Sequence, residues 1–159
     1  MNTQDELASK IQDHKFISII GVGSQIRGDD TVGLYIAEQL KKELKNPKVE
    51  ILIGGTTPEN LTGVLRRSKP SHILIIDAAD DKRKPGEIFL VSPDQIEGMN
   101  FSTHSFSLKA FADFMKHEIG AQTIILGIQP LDTSMSELLT HEITHAAEKV
   151  IEIVKVLLF

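Results

Sequence analysis

Acidic residues and one histidine stand near the ends of apolar segments, where they could form a catalytic or metal site. Asp29 and Asp30 follow the first apolar run, Asp77 lies near the end of the third, and His104 precedes a later helical pattern. Two carboxylates and an imidazole suit a borderline divalent ion and leave positions open for a substrate. The same residues also fit a structural role, in which Asp29 or Asp30 caps a helix and Asp77 caps a turn. Their residue types leave both interpretations open.

A second candidate is the segment from His141 to His145, which has the H-E-x-x-H spacing of zinc peptidases with Glu142 as general base. On a helical wheel the two histidines lie opposite the apolar side, so the motif is expected to face water. The extended form of the motif also fails, because Glu148 and Ile151 stand at its glycine and histidine positions. We favour a solvated helix face, with a self-contained zinc peptidase as the alternative.

A third candidate is the glycine pair that ends the first apolar run. Gly21 and Gly23 have the spacing that begins a dinucleotide-binding fingerprint, but Ile26 stands where the third glycine is required. A non-catalytic module that binds a small anionic ligand at the next helix start is therefore a further alternative. Asp29 and Asp30 argue against it, because their charges would repel an anion.

The composition restricts the chemistry and the partners. The 159 residues include no cysteine, which excludes a thiolate nucleophile, a cysteine-ligated zinc and a disulfide. A net charge of -5, from 22 acidic and 17 basic residues, disfavours nucleic acid as a partner. The N-terminus lacks the layout of a signal peptide, and no apolar run approaches the roughly 18 residues that span a bilayer. We expect a cytoplasmic protein without membrane insertion, and a monomer, because no feature requires an oligomer.

The elements that must position these residues alternate between strands and helices. The runs 16–23, 49–55 and 71–78 are continuous and apolar, as in strands buried on both faces of a parallel sheet. Helical patterns follow the first run over 30–44 and the second over 59–67, which gives a βαβαβ unit. The first and third strands of this unit are expected to be neighbours, and their ends would then meet at one edge.

The remaining segments extend this unit into one α/β domain that covers residues 1–159, with 1–14 as a helical extension. A strand over 86–92 should run antiparallel, because the connection before it is too short for a crossover helix. The other predicted elements are a helix over 4–14 with a capping box at Thr3 and Glu6, a helix over 105–118, a strand over 123–128 and a helix over 136–157. The prediction is a mostly parallel twisted sheet of about five strands with helices on both faces, and ligands bind such sheets at the carboxyl ends of the strands.

Several segments, in this order, resemble the hydrogenase maturation endopeptidases, most closely the type that processes the hydrogenase of formate hydrogenlyase. The resemblance covers nearly the whole chain after the first helix. It rests on GVGSQIRGDDTVG at 21–33, GGTTPEN at 54–60, IIDA at 75–78, PGEI at 85–88, TH at 103–104 and LGIQP at 126–130.

The resemblance implies a protease that removes a C-terminal peptide from the large-subunit precursor of a nickel–iron hydrogenase after nickel insertion. In this family nickel arrives inside the substrate and is the recognition signal, and no organic cofactor is implied. The catalytic, metal-contacting residues of the family fall on Asp30, Asp77 and His104.

The resemblance also implies residues that border the substrate. These are Gly21, Gly23, Ser24, Asp29, Gly54, Gly55 and Thr56. Their glycines suit backbone that turns sharply and approaches a substrate closely. The family usually has asparagine where Ser24 stands, and often has an acidic residue where this chain has Ile53.

Overall fold

The computed structural model describes residues 2–102 and 107–159, and strands and helices alternate through most of them. The strands are β1 (Ile17–Val22), β2 (Val49–Gly55), β3 (His72–Asp80), β4 (Ile88–Val91), β5 (Asn100–Phe101) and β6 (Gln122–Ile128). The α-helices are α1 (Thr3–Ile11), α2 (Val32–Glu43), α3 (Thr62–Ser68), α4 (Leu108–Ile119) and α5 (His141–Leu158). Short 3₁₀ helices at Gly28–Thr31 and Pro58–Leu61 lead directly into α2 and α3, and another covers Pro93–Gln95. None of the helices described here is long and apolar enough to cross a lipid bilayer.

The strands form one mostly parallel sheet in the order β2-β1-β3-β6-β4. β1 pairs in parallel with both β2 and β3, and β3 pairs in parallel with β6. β4 runs antiparallel to β6, which confirms the direction predicted for the fourth strand. The sheet also contains β5, which pairs antiparallel with the end of β3 and which, at two residues, is too short to leave a pattern in the sequence.

Helices cover both faces of the sheet, as predicted. Ile17 and Ile19 of β1 belong to the apolar cluster that includes α1, α2 and α5. Ile20 and Val22 belong to the cluster that includes α3 and α4. Side chains alternate between the faces of a strand, so a run with no polar break fills both layers. Each of these fully buried side chains contributes about 1.5–3 kcal/mol through removal from water.

The predicted starts of α2 and α3 fall in the 3₁₀ helices that precede them, and the starts of α1, α4 and α5 differ from the predicted positions for other reasons. The cap of α1 is Asn2, whose side chain accepts a hydrogen bond from Asp5 N at 2.8 Å, so the predicted capping box at Thr3 is wrong. α4 begins at Leu108 with Ser107 as its cap, and the predicted start at 105 lies outside the described residues. α5 begins at His141, five residues after the predicted start, because the segment before it bonds to another loop.

The start of α2 lies directly against the backbone of two strands. A Cβ atom at Gly33 would lie 2.2 Å from the carbonyl oxygen of Ile76 and 2.3 Å from that of Val22. Only glycine permits such an approach. Asp30 lies three residues before Gly33, and Asp77 lies one residue after Ile76. The contact between Gly33 and Ile76 therefore limits how closely the two candidate catalytic residues can approach each other.

We expect Gly33→Ala to destabilise the protein, because the new methyl group would meet two backbone oxygens that cannot rotate away. Overpacking of this kind costs about 1–3 kcal/mol, measured as the free energy of unfolding in urea. The matched control is Gly63→Ala in α3, where the new Cβ would have only Arg67 Nη1 as a neighbour, at 3.8 Å. It should be neutral or stabilising, since alanine favours a helix over glycine by roughly 1 kcal/mol. Equal unfolding midpoints for both variants would contradict the close-packing argument.

Candidate active site

Asp30 and Asp77 meet at the carboxyl edge of the sheet. Asp77 lies near the end of β3, and Asp30 lies in the 3₁₀ helix that follows the neighbouring strand β1. Both side chains are buried. The negative charge of Asp30 is near enough to contribute to a raised pKa of Asp77. β1 and β3 are neighbours, which confirms the prediction that they bring these two aspartates to one edge.

Asp77 is held in a fixed orientation but in a setting that disfavours its charge. Burial is the main cause that raises its pKa well above the ordinary value of an aspartate, and the charge of Asp30 adds to it. Ser102 acts in the opposite direction, because its Oγ donates to Asp77 Oδ1 at 2.5 Å and its backbone N donates to Oδ2 at 3.2 Å. A cation placed beside Asp30 and Asp77 would favour the ionised form.

Asp30 is fixed mainly through the backbone of its turn. Its amide donates to Arg27 O at 3.0 Å, and its carbonyl accepts from Ser24 N at 3.1 Å. The hydroxyl of Thr31 donates to Ser24 O at 2.7 Å and closes the turn. Arg27 Nε lies 3.8 Å from Asp30 Oδ2, but the arginine side chain is 46% exposed and its attraction is screened by water. Ser24 therefore braces the loop that carries Asp30.

The predicted substrate-contacting glycines differ in their surroundings. A Cβ at Gly21 would lie 2.4 Å from Gly33 O, and one at Gly23 would lie 2.2 Å from Asp30 O, so both serve close packing of the loop. A Cβ at Gly54 would lie 3.2 Å from the Pro58 side chain.

Gly55 and Thr56 are the more open part of this edge. Gly55 adopts φ +58, which favours glycine, and a Cβ there would meet nothing within 4 Å. Its carbonyl accepts from Gly23 N at 2.9 Å and joins the ends of β1 and β2, and Thr56 beside it is exposed. The predicted substrate contacts of these residues stay predictions.

His104, the third predicted catalytic residue, lies outside the described residues, so its role stays a prediction. The chain is described up to Ser102, two residues before it, which bonds to Asp77. Ser102 itself was not predicted, because an isolated serine in a loop carries no signal for a partner 25 residues away.

Asp29 has a different role from its neighbour Asp30. Its buried carboxylate accepts hydrogen bonds from the backbone N of Leu131 and Asp132, both at 2.9 Å, and from the backbone N of Thr140 at 2.8 Å. The Thr140 hydroxyl donates as well. The carboxylate also lies at the N-terminus of α5, where the helix dipole favours a negative charge. Asp29 therefore holds the segment before α5 against the turn that carries Asp30, and any contribution to substrate binding acts through that segment.

The H-E-x-x-H segment lies on the exposed face of α5, as the helical wheel predicted. His141, Glu142 and His145 are exposed, and Ile143 between them is buried. Within residues 2–102 and 107–159, no cluster of three or more histidine or acidic side chains is arranged to hold a metal ion. The geometry therefore favours a solvated helix face over a zinc peptidase.

The fold and the site together define a class of protein. A mostly parallel α/β sheet with two buried carboxylates near one another at its carboxyl edge, beside glycine turns, is typical of an enzyme scaffold.

Comparison with known proteins identifies the family within that class: the chain belongs to the hydrogenase maturation proteases, whose family model matches residues 34–156. It resembles the nickel–iron hydrogenase maturation protease of Thermococcus kodakarensis at a TM-score of 0.89 and 31% identity, over 96% of this chain and 98% of that one. The hydrogenase 3 maturation protease of Escherichia coli K12 is 36% identical over 133 residues, which are 83% of this chain and 84% of that protein. A hydrogenase maturating endopeptidase of E. coli has a TM-score of 0.75 at 26% identity, over 87% of this chain and 89% of that one. The predicted resemblance is confirmed.

We expect Asp77→Asn to raise the melting temperature at neutral pH. The folded pKa of Asp77 lies above its unfolded value, so folding favours the protonated form and stability falls as the pH rises through the interval between the two values. Asparagine has the same size and no charge at any pH. The gain over the wild type should therefore be largest near pH 8 and should disappear below about pH 4, where unfolded aspartate is protonated.

Scanning calorimetry between pH 4 and pH 8 tests this expectation. The control is Asp113→Asn on the outside of α4, where the carboxylate is largely exposed and pairs with Lys109, and which should change the melting temperature little at any pH. A melting temperature of Asp77→Asn below that of the wild type at pH 8 would show that the buried charge is not the dominant cost.

Replacing Asp29 with alanine should loosen the segment before α5. The change leaves the amides of Leu131, Asp132 and Thr140 without their acceptor. A fully buried donor left unsatisfied costs about 1–3 kcal/mol, and because these three hydrogen bonds are only partly buried we expect a total loss on the order of 3 kcal/mol in the free energy of unfolding. Limited proteolysis should also cut within 131–139 faster. Asp132→Ala is the control in the same loop, because it removes an exposed carboxylate whose hydrogen bonds, among the described residues, go to Ser134. Similar stability and proteolysis for the two variants would contradict the role given to Asp29.

Proposed function

We propose that this protein is a processing endopeptidase that removes a C-terminal peptide from the large-subunit precursor of a nickel–iron hydrogenase after nickel has been inserted. The observation that carries the proposal is the buried pair Asp30 and Asp77 at the carboxyl edge of the sheet, in a chain of the hydrogenase maturation protease family. In such sheets this edge is where ligands bind.

In this proposal the nickel belongs to the substrate, and Asp30, Asp77 and His104 contact it there. The support is electrostatic: burial and the charge of Asp30 make the ionised form of Asp77 costly, and a divalent cation between the two carboxylates would reduce that cost. Carboxylates and an imidazole are also suitable ligands for such an ion.

The missing cysteines support a contact that leaves the nickel in place. The chain has no thiolate to offer, so it meets the metal only through oxygen and nitrogen. Soft thiolates of the substrate would hold the ion, and a sulfur-free site in the protease would contact it too weakly to remove it. Transfer of nickel from the substrate to the protease, measured by metal analysis of the separated proteins, would contradict this part of the proposal.

The proposed chemistry is hydrolysis of one peptide bond at the positioned metal. The nickel would polarise the scissile carbonyl or activate the attacking water, and the residue set leaves both routes open. The proposal includes no organic cofactor, no nucleic acid and no membrane insertion, and it has the protease act as a monomer in the cytoplasm. The net charge of -5 supports the exclusion of nucleic acid.

The central experiment is cleavage of purified large-subunit precursor, loaded with nickel or free of it. We expect cleavage only of the loaded form. Asp30→Asn, Asp77→Asn and His104→Ala should each lower the rate by roughly 100-fold or more, the usual scale for loss of a catalytic acid or base. Glu142→Gln is the matched control, because this exposed residue of the H-E-x-x-H segment should leave the rate unchanged.

Two results would contradict the proposal. Equal cleavage of both precursor forms would remove the nickel requirement. Loss of activity in Glu142→Gln, together with stoichiometric zinc in the purified protein, would favour the zinc peptidase instead. Melting curves of each variant confirm that a lost activity does not reflect an unfolded protein.

A further inference from the structure

Two loop segments beside the candidate site are joined into one unit. Residues 24–27 connect β1 to the 3₁₀ helix, and residues 131–139 connect β6 to α5. Ser136 N donates to Ile26 O at 2.9 Å, and Gly28 N donates to Ser136 O at 2.8 Å. We call these two joined segments the platform.

The platform is fixed to the candidate catalytic residues. Asp29 N donates to Asp132 O at 2.9 Å, and the Asp29 carboxylate accepts from the backbone at both ends of the second segment. The packing is close as well, since a Cβ at Gly28 would lie 2.5 Å from Asp132 O. Asp30 follows Asp29 directly in the chain. The platform and Asp30 therefore belong to one hydrogen-bonded structure.

The platform exposes an unusual amount of apolar side chain. Its members Ile26, Leu131, Met135 and Leu138 are 53%, 51%, 86% and 77% exposed. They are half of the eight large apolar side chains that are most exposed in the described part of the chain. Single exposed apolar residues are common, but a concentration of them marks a binding surface. Met135 suits such a surface, because its flexible thioether adapts to a partner.

Polar residues accompany these apolar side chains on the same segments. Arg27, Asp132 and Glu137 are exposed beside them. An apolar centre with a polar rim is the usual arrangement of a protein–protein interface.

The geometry points to one occupant: we propose that the platform docks the folded body of the hydrogenase large-subunit precursor, through an apolar surface next to the peptide that is cleaved. This inference rests on the proposed function. The platform adjoins Asp30 in one hydrogen-bonded loop system, so a protein whose peptide reaches Asp30 and Asp77 brings its surface near the platform. A second copy of the protease in this place would cover the same edge and obstruct the site, so the substrate is the occupant that fits.

Docking of this kind predicts a particular kinetic effect. Apolar contacts are not directed at the reacting atoms, so their loss weakens substrate binding and leaves the chemical step intact. Met135→Asp and Leu138→Asp should each raise KM for the nickel-loaded precursor by about tenfold or more, with kcat nearly unchanged. The dissociation constant measured by surface plasmon resonance should rise in parallel.

The matched control is Val156→Asp, which places the same charge at an apolar residue that is 63% exposed. It lies in the last turn of α5, whose Leu158 O accepts a hydrogen bond from Asn46 just before β2, at the opposite end of the sheet from Asp77. This variant should keep the KM and kcat of the wild type. All three replacements are at exposed positions, and a melting curve of each verifies the fold.

The outcomes separate this inference from the proposed function. A wild-type protein that neither binds nor cleaves the loaded precursor would contradict the proposed function itself. Normal cleavage by the wild type, with Met135→Asp and Leu138→Asp indistinguishable from Val156→Asp, would overturn the docking inference alone. The same inference also fails if the platform variants change the sedimentation of the protease by itself and leave KM unchanged, because the surface then joins copies of the chain.

Discussion

The contact of Gly33 with the backbone of β1 and β3 is the constraint on which the site depends. It brings the start of α2 so close to the sheet that a single methyl group would meet two carbonyl oxygens. Asp30 lies immediately before that start, and Asp77 follows one of the contacted residues, Ile76. Glycines at 21 and 23 continue this close packing along the loop, and Gly23 lies directly against the backbone of Asp30.

That arrangement is costly for the free protein and useful for a cationic ligand. Water is excluded from Asp77, and the neighbouring charge is of the same sign; hydrogen bonds from Ser102 and from the backbone of Ala78 offset only part of that cost. Burying two like charges near one another is costly in a fold, and in the described structure the exposed Arg27 offsets little of that cost. In sites of this kind the buried charges lower the stability of the free protein, and binding of the ligand reduces that cost.

The sequence could predict the parts of this structure that depend on local patterns. Apolar runs of strand length gave the order of the elements, and parallel neighbours bring their ends to one edge, which placed Asp30 beside Asp77. It could not predict contacts between distant loops. Leu139 fits a helical pattern, yet α5 starts only at His141, because the preceding segment is held against the turn at Asp29 by hydrogen bonds from Leu131 and Thr140, which are far from Asp29 in the sequence. β5 is too short for any pattern, and the role of His104, which the sequence pattern and the resemblance both predict, stays a prediction because His104 lies outside the described residues.

Asp29 and Asp30 are adjacent and identical, but Asp29 has a structural role and Asp30 is a candidate catalytic residue. Asp29 is turned toward three backbone amides and a hydroxyl, which use its hydrogen-bonding capacity inside the protein. Asp30 is near enough to Asp77 for its charge to help raise the pKa of Asp77. The two aspartates share one turn of 3₁₀ helix, so the residue that holds the segment 131–139 is adjacent in the chain to the candidate catalytic carboxylate. A substrate that binds the platform would therefore be held next to Asp30, and the loss of its apolar contacts would weaken binding without changing the chemical step.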